Sequence, residues 1–258
     1  MGRASRWCVL PLSSLRQGLG IGGLAACLLM LGSHGTVQAG KPPNVTPGEL
    51  ALLPKYCPDT MGFNYGDSSY NTSPRAPYWV ARLGLGFWAV HHHCWALIKV
   101  RRAMLPATPP EMRSATLSDA IDDFYYVVKN TPPDFLLLPD VFMKIGDTHV
   151  LQGQVVLAGE AYARSRSLKP TFWPVYIPWA KQLEKSGNRK GALLHLEEGM
   201  RASPAALELQ AMYKTLGGNP EAFLASLPAA VATPAASSTS ADAADAATRV
   251  APSMSAKP

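Results

Sequence analysis

A 34-residue recurrence in the second half of the chain constrains its fold more than any other feature of the sequence. A glycine, an alanine and a proline each return 34 positions further on: Gly153, Ala158 and Pro170 recur as Gly187, Ala192 and Pro204. A period of this length is typical of stacked helical hairpins, because each hairpin needs its neighbours to bury its apolar face. We therefore predict an all-α fold of antiparallel helical hairpins, a class that usually holds partners rather than performing chemistry.

Hydrophobic residues at helical spacing predict the individual helices. The series from Leu117 to Val128 follows one face of an amphipathic helix, with Thr116 as its predicted N-cap. Pro178 would break a helix interior, so we place a helix start near Ile177, where the proline lies in the first turn. The predicted helices cover 78–102, 117–131, 138–151, 155–168, 177–185, 190–201 and 205–216.

Two successive units carry the same residue types at four positions: a small residue, an alanine, a large side chain and a proline. Positions 8, 20, 24 and 32 hold Gly146, Ala158, Tyr162 and Pro170 when counted from Pro139, and Ala180, Ala192, Leu196 and Pro204 when counted from Trp173. This pattern resembles the tetratricopeptide repeat over roughly residues 117–216. The small residues let the two helices of a hairpin approach closely, and the proline ends the second helix.

The resemblance implies a short helical solenoid in which the first helices of successive units line a concave groove. By position in the unit, the partner-binding residues would be Met143, Asp147, Val150, Ile177, Lys181 and Glu184. This mixture of apolar and charged groups suits an extended or helical polypeptide. We therefore expect a protein-binding adaptor or scaffold.

The first 39 residues have the layout of a secretory signal peptide. Arg3, Arg6 and Arg16 precede or flank an apolar run at 19–31, and small residues before and at Ala39 favour cleavage there. The run is shorter than the roughly 18 residues that span a bilayer. We predict export to the periplasm or cell envelope.

One alternative places the protein on a membrane. The sequence Leu24–Cys27 resembles the lipobox of bacterial lipoproteins, in which the cysteine becomes lipidated. The apolar run continues past Cys27, where a lipoprotein usually turns polar. Membrane attachment is therefore expected only if Cys27 is lipidated.

Composition divides the rest of the chain into three parts. Residues 40–77 are loop-rich, residues 78–227 form the predicted helical domain, and the Ala/Ser/Pro-rich residues 228–258 are predicted to be a disordered tail. Loss of residues 1–39 removes three arginines and no acid, which lowers the formal net charge from +6 to about +3. The basic residues are scattered, so we expect no nucleic-acid partner.

Two cysteines remain after the predicted leader, Cys57 and Cys94, and an even pair in an exported protein predicts a disulfide. Closing a loop of roughly 38 residues would contribute on the order of 4 kcal/mol. An alternative is a metal or redox protein that uses His91 and Cys94, which share one helix face. Adjacent side chains at 91–93 point about 100° apart on a helix, so these three histidines cannot converge on one ion.

Known catalytic motifs are missing from the sequence, so we predict no enzymatic activity and no cofactor. The acidic residues Asp119, Asp122 and Asp123 are interpreted as a solvated helix edge. A second alternative function is a glycan-binding module built on the aromatic residues between 63 and 79, although such residues more often pin a loop to the core. These aromatic residues are Phe63, Tyr65, Tyr70, Tyr78 and Trp79.

Overall fold

Ten α-helices and no strand occur among residues 40–63 and 73–228, the parts of the chain that this computed structural model describes. The predicted signal peptide at 1–39 and the predicted tail beyond residue 228 lie outside the described residues. No helix in the described part is both long and apolar enough to cross a bilayer. The helices are α1 Pro47–Ala51, α2 Ala76–Leu83, α3 Val90–Ala103, α4 Pro110–Asn130, α5 Leu138–Leu151, α6 Val155–Leu168, α7 Tyr176–Lys185, α8 Arg189–Ala202, α9 Leu207–Thr215 and α10 Pro220–Ala225.

The helices pack as consecutive pairs. The closest helix pairs are α3 with α4, α5 with α6, and α7 with α8, and each second helix then contacts the first helix of the next pair. Only three residues join α5 to α6 and α7 to α8, so the helices of these pairs run antiparallel. The all-α prediction is confirmed for the described residues, and α5 and α6 have the predicted bounds.

Three helices of these pairs end in the same turn. Gly153, Gly187 and Gly217 follow α5, α7 and α9 with positive φ of 74°, 80° and 81°, a conformation that glycine adopts without strain. After each glycine, the next backbone N–H donates at 2.9 Å to the carbonyl five residues earlier, which closes the helix end. The third turn leads into α10, which the sequence did not predict.

The prediction of one helix over 78–102 is wrong. Helix α2 ends at Gly84, whose φ of 71° turns the chain, and a 3₁₀ helix at Leu85–Ala89 precedes α3. Gly86 lies directly under the ring of Phe135, where a Cβ atom would approach to 2.4 Å. The two glycines thus break the helix so that the chain can pass closely over the segment before α5.

Helix α4 begins earlier than predicted. Pro109 is its N-cap and Pro110 its first residue, a position where proline is preorganised for a helix and loses no hydrogen bond. Thr116 therefore lies inside the helix and does not cap it. Asp119, its predicted capping partner, instead pairs with Lys99 of α3.

Two hydrophobic clusters form the core. The first lies around α3, α4 and the start of α5, and includes Phe87, Phe124 and Ile145. The second lies among α6 to α9, and its largest buried side chains are Tyr162, Tyr176, Leu196, Met200 and Leu209. Both clusters lie within residues 53–224, so residues 40–228 contain the whole described core.

Candidate functional site

On α5, the three predicted partner-binding residues differ in their accessibility. Met143 is only 5% exposed and belongs to the second core cluster, so it contributes packing rather than an accessible contact. Val150 is half-buried against the same cluster. Asp147 is half-buried but keeps part of its carboxylate at the surface. The accessible part of this face is therefore polar.

On α7, the predicted residues include the more exposed members of the set. Ile177 is half-buried and packs against the second core cluster. Lys181 and Glu184 are exposed at the i+4 and i+7 positions from Ile177, so the three share one helix face. This face carries charges of both signs above an apolar base.

A row of ionisable side chains extends the polar face of α5. Asp140, Lys144 and Asp147 follow one another at i, i+4 and i+7. The Nζ atom of Lys144 lies 3.6 Å from a carboxylate oxygen of Asp147, and the Tyr162 hydroxyl donates to the other oxygen at 2.9 Å. Asp140 lies 3.4 Å from Nε2 of His93. The row thus links the first two helical pairs through polar contacts.

The electrostatics of this row favour its charged lysine. Burial raises the pKa of the Asp147 carboxyl, although Lys144 and the hydroxyl of Tyr162 oppose that shift. For Lys144, burial favours the neutral amine, but the carboxylates of Asp147 and Asp140 outweigh it and raise the pKa. Lys144 therefore serves as the counter-ion of both acids.

A buried charge network joins α3 to α4. Lys99 places its Nζ atom 2.7 Å from a carboxylate oxygen of Asp119 and 2.6 Å from one of Asp123. The other oxygen of Asp123, which is fully buried, lies 2.6 Å from Nδ1 of His92. The ring of His92 in turn stacks on Tyr126, with centroids 3.7 Å apart. Buried charges persist when they are paired in this way.

The interpretation of the acidic residues on α4 as a solvated edge is wrong for two of the three. Asp122 is exposed, but Asp119 and Asp123 turn toward α3. The sequence contained a signal for Asp123, because it lies three residues after Ala120 and four before Val127, on the apolar face of the helix. A buried acid requires a buried base, and Lys99 supplies it.

The three adjacent histidines of α3 are all buried, and each binds a different partner. Nδ1 of His91 lies 3.0 Å from the Trp88 carbonyl, and Nδ1 of His93 lies 2.9 Å from the hydroxyl of Tyr56. Their rings diverge, as the helical geometry predicts. Burial lowers the pKa of His91 to about 4 and also lowers that of His93. These two histidines are therefore neutral components of the packing at neutral pH.

The predicted disulfide between Cys57 and Cys94 is confirmed, and both cysteines are fully buried. Because Cys94 is bonded to Cys57, it offers no thiolate to a metal, which removes the central ligand of the alternative built on His91 and Cys94. Within the described ranges, no group of three His, Cys, Asp or Glu side chains could hold a metal ion.

The aromatic segment between 63 and 79 is only partly described, since Tyr65 and Tyr70 lie outside the described residues. Trp79 is buried, and its indole N–H donates to a carboxylate oxygen of Asp59 at 2.7 Å. Phe63 is half-buried against the first core cluster. These two residues pin the segment to the core, while Tyr78 remains exposed.

The helical pairs repeat the same contacts as well as the same residues. The Tyr176 hydroxyl donates to the carbonyl of Pro170 at 3.0 Å, and the amide of Gln210, 34 positions later, donates to the carbonyl of Pro204 at 2.7 Å. The bounds of α6 and α8 also differ by 34 residues at both ends. The register therefore continues from α6 into α9.

Comparison of the chain with protein-family models, with curated proteins and with solved structures gives no match. The functional argument therefore rests on the contacts and surfaces described above.

Proposed function

We propose that this chain is an exported, tetratricopeptide-like adaptor or scaffold of the cell envelope that holds a polypeptide along α5 and α7. The observation that carries the proposal is the 34-residue correspondence of α6 with α8, together with matching contacts at Pro170 and Pro204. Repeated hairpins present equivalent helix faces side by side, and such faces suit an elongated partner. The disulfide supports export, because disulfides persist in oxidising compartments.

The accessible chemistry of these faces also favours a polypeptide. Lys144 and Asp147 are half-buried on α5, and Lys181 and Glu184 are exposed on α7. Both signs of charge lie above a hydrophobic base, so a partner can pair its own charges while burying apolar side chains. The faces belong to the first helices of their pairs, as the resemblance implies for a partner groove.

The test is a charge exchange that leaves the core intact. Lys181→Glu combined with Glu184→Lys reverses both exposed charges of α7. Asp147→Asn removes the charge of that residue while keeping an oxygen for the Tyr162 hydroxyl. A matched control, Glu160→Lys with Lys190→Glu, changes exposed charges on α6 and α8 instead.

Each variant is used as bait in affinity purification from the native envelope, and the captured proteins are quantified by mass spectrometry. The proposal expects a defined partner to be lost with the α7 exchange and with Asp147→Asn, and to be retained with the control. Captured proteins that are the same for all three variants would contradict it. Thermal unfolding followed by circular dichroism shows whether each variant is folded.

A further inference from the structure

A second surface, distant in sequence from α5 and α7, combines exposed apolar and basic side chains. On α2, Tyr78 is 46% exposed, and in the following 3₁₀ helix Leu85 is 73% and Trp88 48% exposed. Leu85 stands between Gly84 and Gly86, so no neighbouring side chain covers it from the chain itself. The proposed groove does not use these residues.

The exposed groups form two short stripes that meet at Gly84. On α2, Arg75 and Arg82 lie at i−3 and i+4 from Tyr78, and their guanidinium carbons lie 5.8 and 4.8 Å from the centre of its ring. In a 3₁₀ helix, side chains three residues apart eclipse, so Leu85 and Trp88 share one side. We call Arg75, Tyr78, Arg82, Leu85 and Trp88 the aromatic tip.

The aromatic tip lies in a strongly cationic part of the sequence. Between Asp67 and Glu111 the chain contains no acidic residue. Two of the basic side chains in this interval are held by carboxylates in the fold: Lys99 by Asp119 and Asp123, and Arg102 by Glu49. Arg75 approaches Asp59 at 3.6 Å, yet its side chain remains 58% exposed. The tip therefore presents positive charge beside its apolar groups.

We infer that the aromatic tip docks on the surface of an anionic phospholipid bilayer. Tryptophan and tyrosine favour the headgroup region, leucine reaches the acyl boundary, and arginine pairs with lipid phosphate. The three apolar side chains offer on the order of 400 Å², about half of what each partner buries in a stable protein interface. Charge and area thus favour a lipid surface over a second protein.

This attachment differs from the lipid anchor predicted at Cys27, because it belongs to the folded part of the chain. It would hold the scaffold at a membrane through α2 while α5 and α7 remain available to a polypeptide. The two proposals are independent, since no residue is shared between the tip and the groove faces.

The test uses residues 40–258, which retain both core clusters and lack the apolar run at 19–31. The probes are vesicles of phosphatidylcholine alone and of phosphatidylcholine mixed with phosphatidylglycerol, and binding is measured by co-sedimentation. We expect binding to the mixed vesicles and much weaker binding to the neutral ones. Replacing Arg75 and Arg82 by glutamine should lower the partition coefficient for mixed vesicles by about 30-fold.

Leu85→Ser with Trp88→Ser should also abolish most binding. The matched control is Val156→Ser with Leu207→Ser, since these residues are 75% and 71% exposed elsewhere in the fold, and it should bind as the unmodified chain does. Absence of binding to mixed vesicles, or an equal loss in tip and control variants, would overturn the inference. A dimer in sedimentation equilibrium that Leu85→Ser dissociates would also overturn it, in favour of a second copy as the occupant.

Discussion

Replacing Gly146 by alanine probes the close approach of α5 and α6 on which the repeated hairpin depends. A Cβ atom at this position would lie 2.5 Å from the ring of Tyr162, which is buried. The next hairpin solves the same contact with a different pair, because positions 34 residues later hold Ala180 and Leu196, both fully buried. Gly146→Ala should therefore be tolerated only when Tyr162 is also replaced by leucine.

The magnitude follows from two opposing effects. Overpacking a filled core costs about 1–3 kcal/mol, whereas alanine is better than glycine in a helix by about 1 kcal/mol. In the unmodified background, Gly146→Ala should reduce the free energy of unfolding by up to about 2 kcal/mol. With leucine at 162 the ring is absent, so the same change should stabilise the protein by about 1 kcal/mol.

A double-mutant cycle in urea, followed by circular dichroism, measures the coupling between the two positions. We expect a coupling free energy of about 1–3 kcal/mol. Gly48→Ala is the matched control, because a Cβ there meets only Thr46 Oγ1 at 3.9 Å, and its effect should be the same in both backgrounds. Equal effects of Gly146→Ala with tyrosine and with leucine at 162 would refute the packing argument.

Three further predictions concern the first core cluster. Replacing Cys57 and Cys94 by serine should lower the free energy of unfolding by on the order of 4 kcal/mol, measured in urea. Lys99→Met leaves the fully buried Asp123 without its ammonium partner, and should cost about 3–5 kcal/mol in the same assay. Burial lowers the pKa of His91 from 6.5 to about 4, so the unfolded state binds more protons between these values. Stability should fall as the pH decreases through this window, and His91→Gln should weaken that dependence.

Each of these predictions has an outcome that contradicts it. The serine variant should match the oxidised protein if the disulfide does not form. A loss below about 1 kcal/mol for Lys99→Met, the size typical of surface pairs, would mean that the network is solvated. A pH dependence of unfolding that is unchanged by His91→Gln would show that this ring is not buried in neutral form.

The second half of the fold could be predicted from the sequence because its helix ends are marked by residues with strong local preferences. Gly153, Gly187 and Pro170 end helices through backbone geometry alone, and the helices beside them have nearly the predicted bounds. Local signals failed where a distant contact decides the structure. The break at Gly84 depends on the passage of Gly86 beneath Phe135, which no local pattern reveals.

The candidate site was only partly predictable for the same reason. Helical periodicity places Lys181 and Glu184 on one exposed face, which the structure shows. Periodicity does not distinguish a groove position from a core position, so it could not show that Met143 is buried between two helices. The partners of Asp123 come from α3, 24 and 31 residues earlier in the chain. Such long-range pairs become visible only in the folded protein.

Site-specific photocrosslinking in the native host tests most directly whether α7 holds a polypeptide. A photoreactive amino acid replaces the exposed Lys181 on α7 or, as control, the exposed Lys190 on α8, and crosslinked products are identified by mass spectrometry. The account predicts a crosslink to a defined polypeptide from position 181 and none from position 190. No crosslink from position 181, or the same products from both positions, would contradict it.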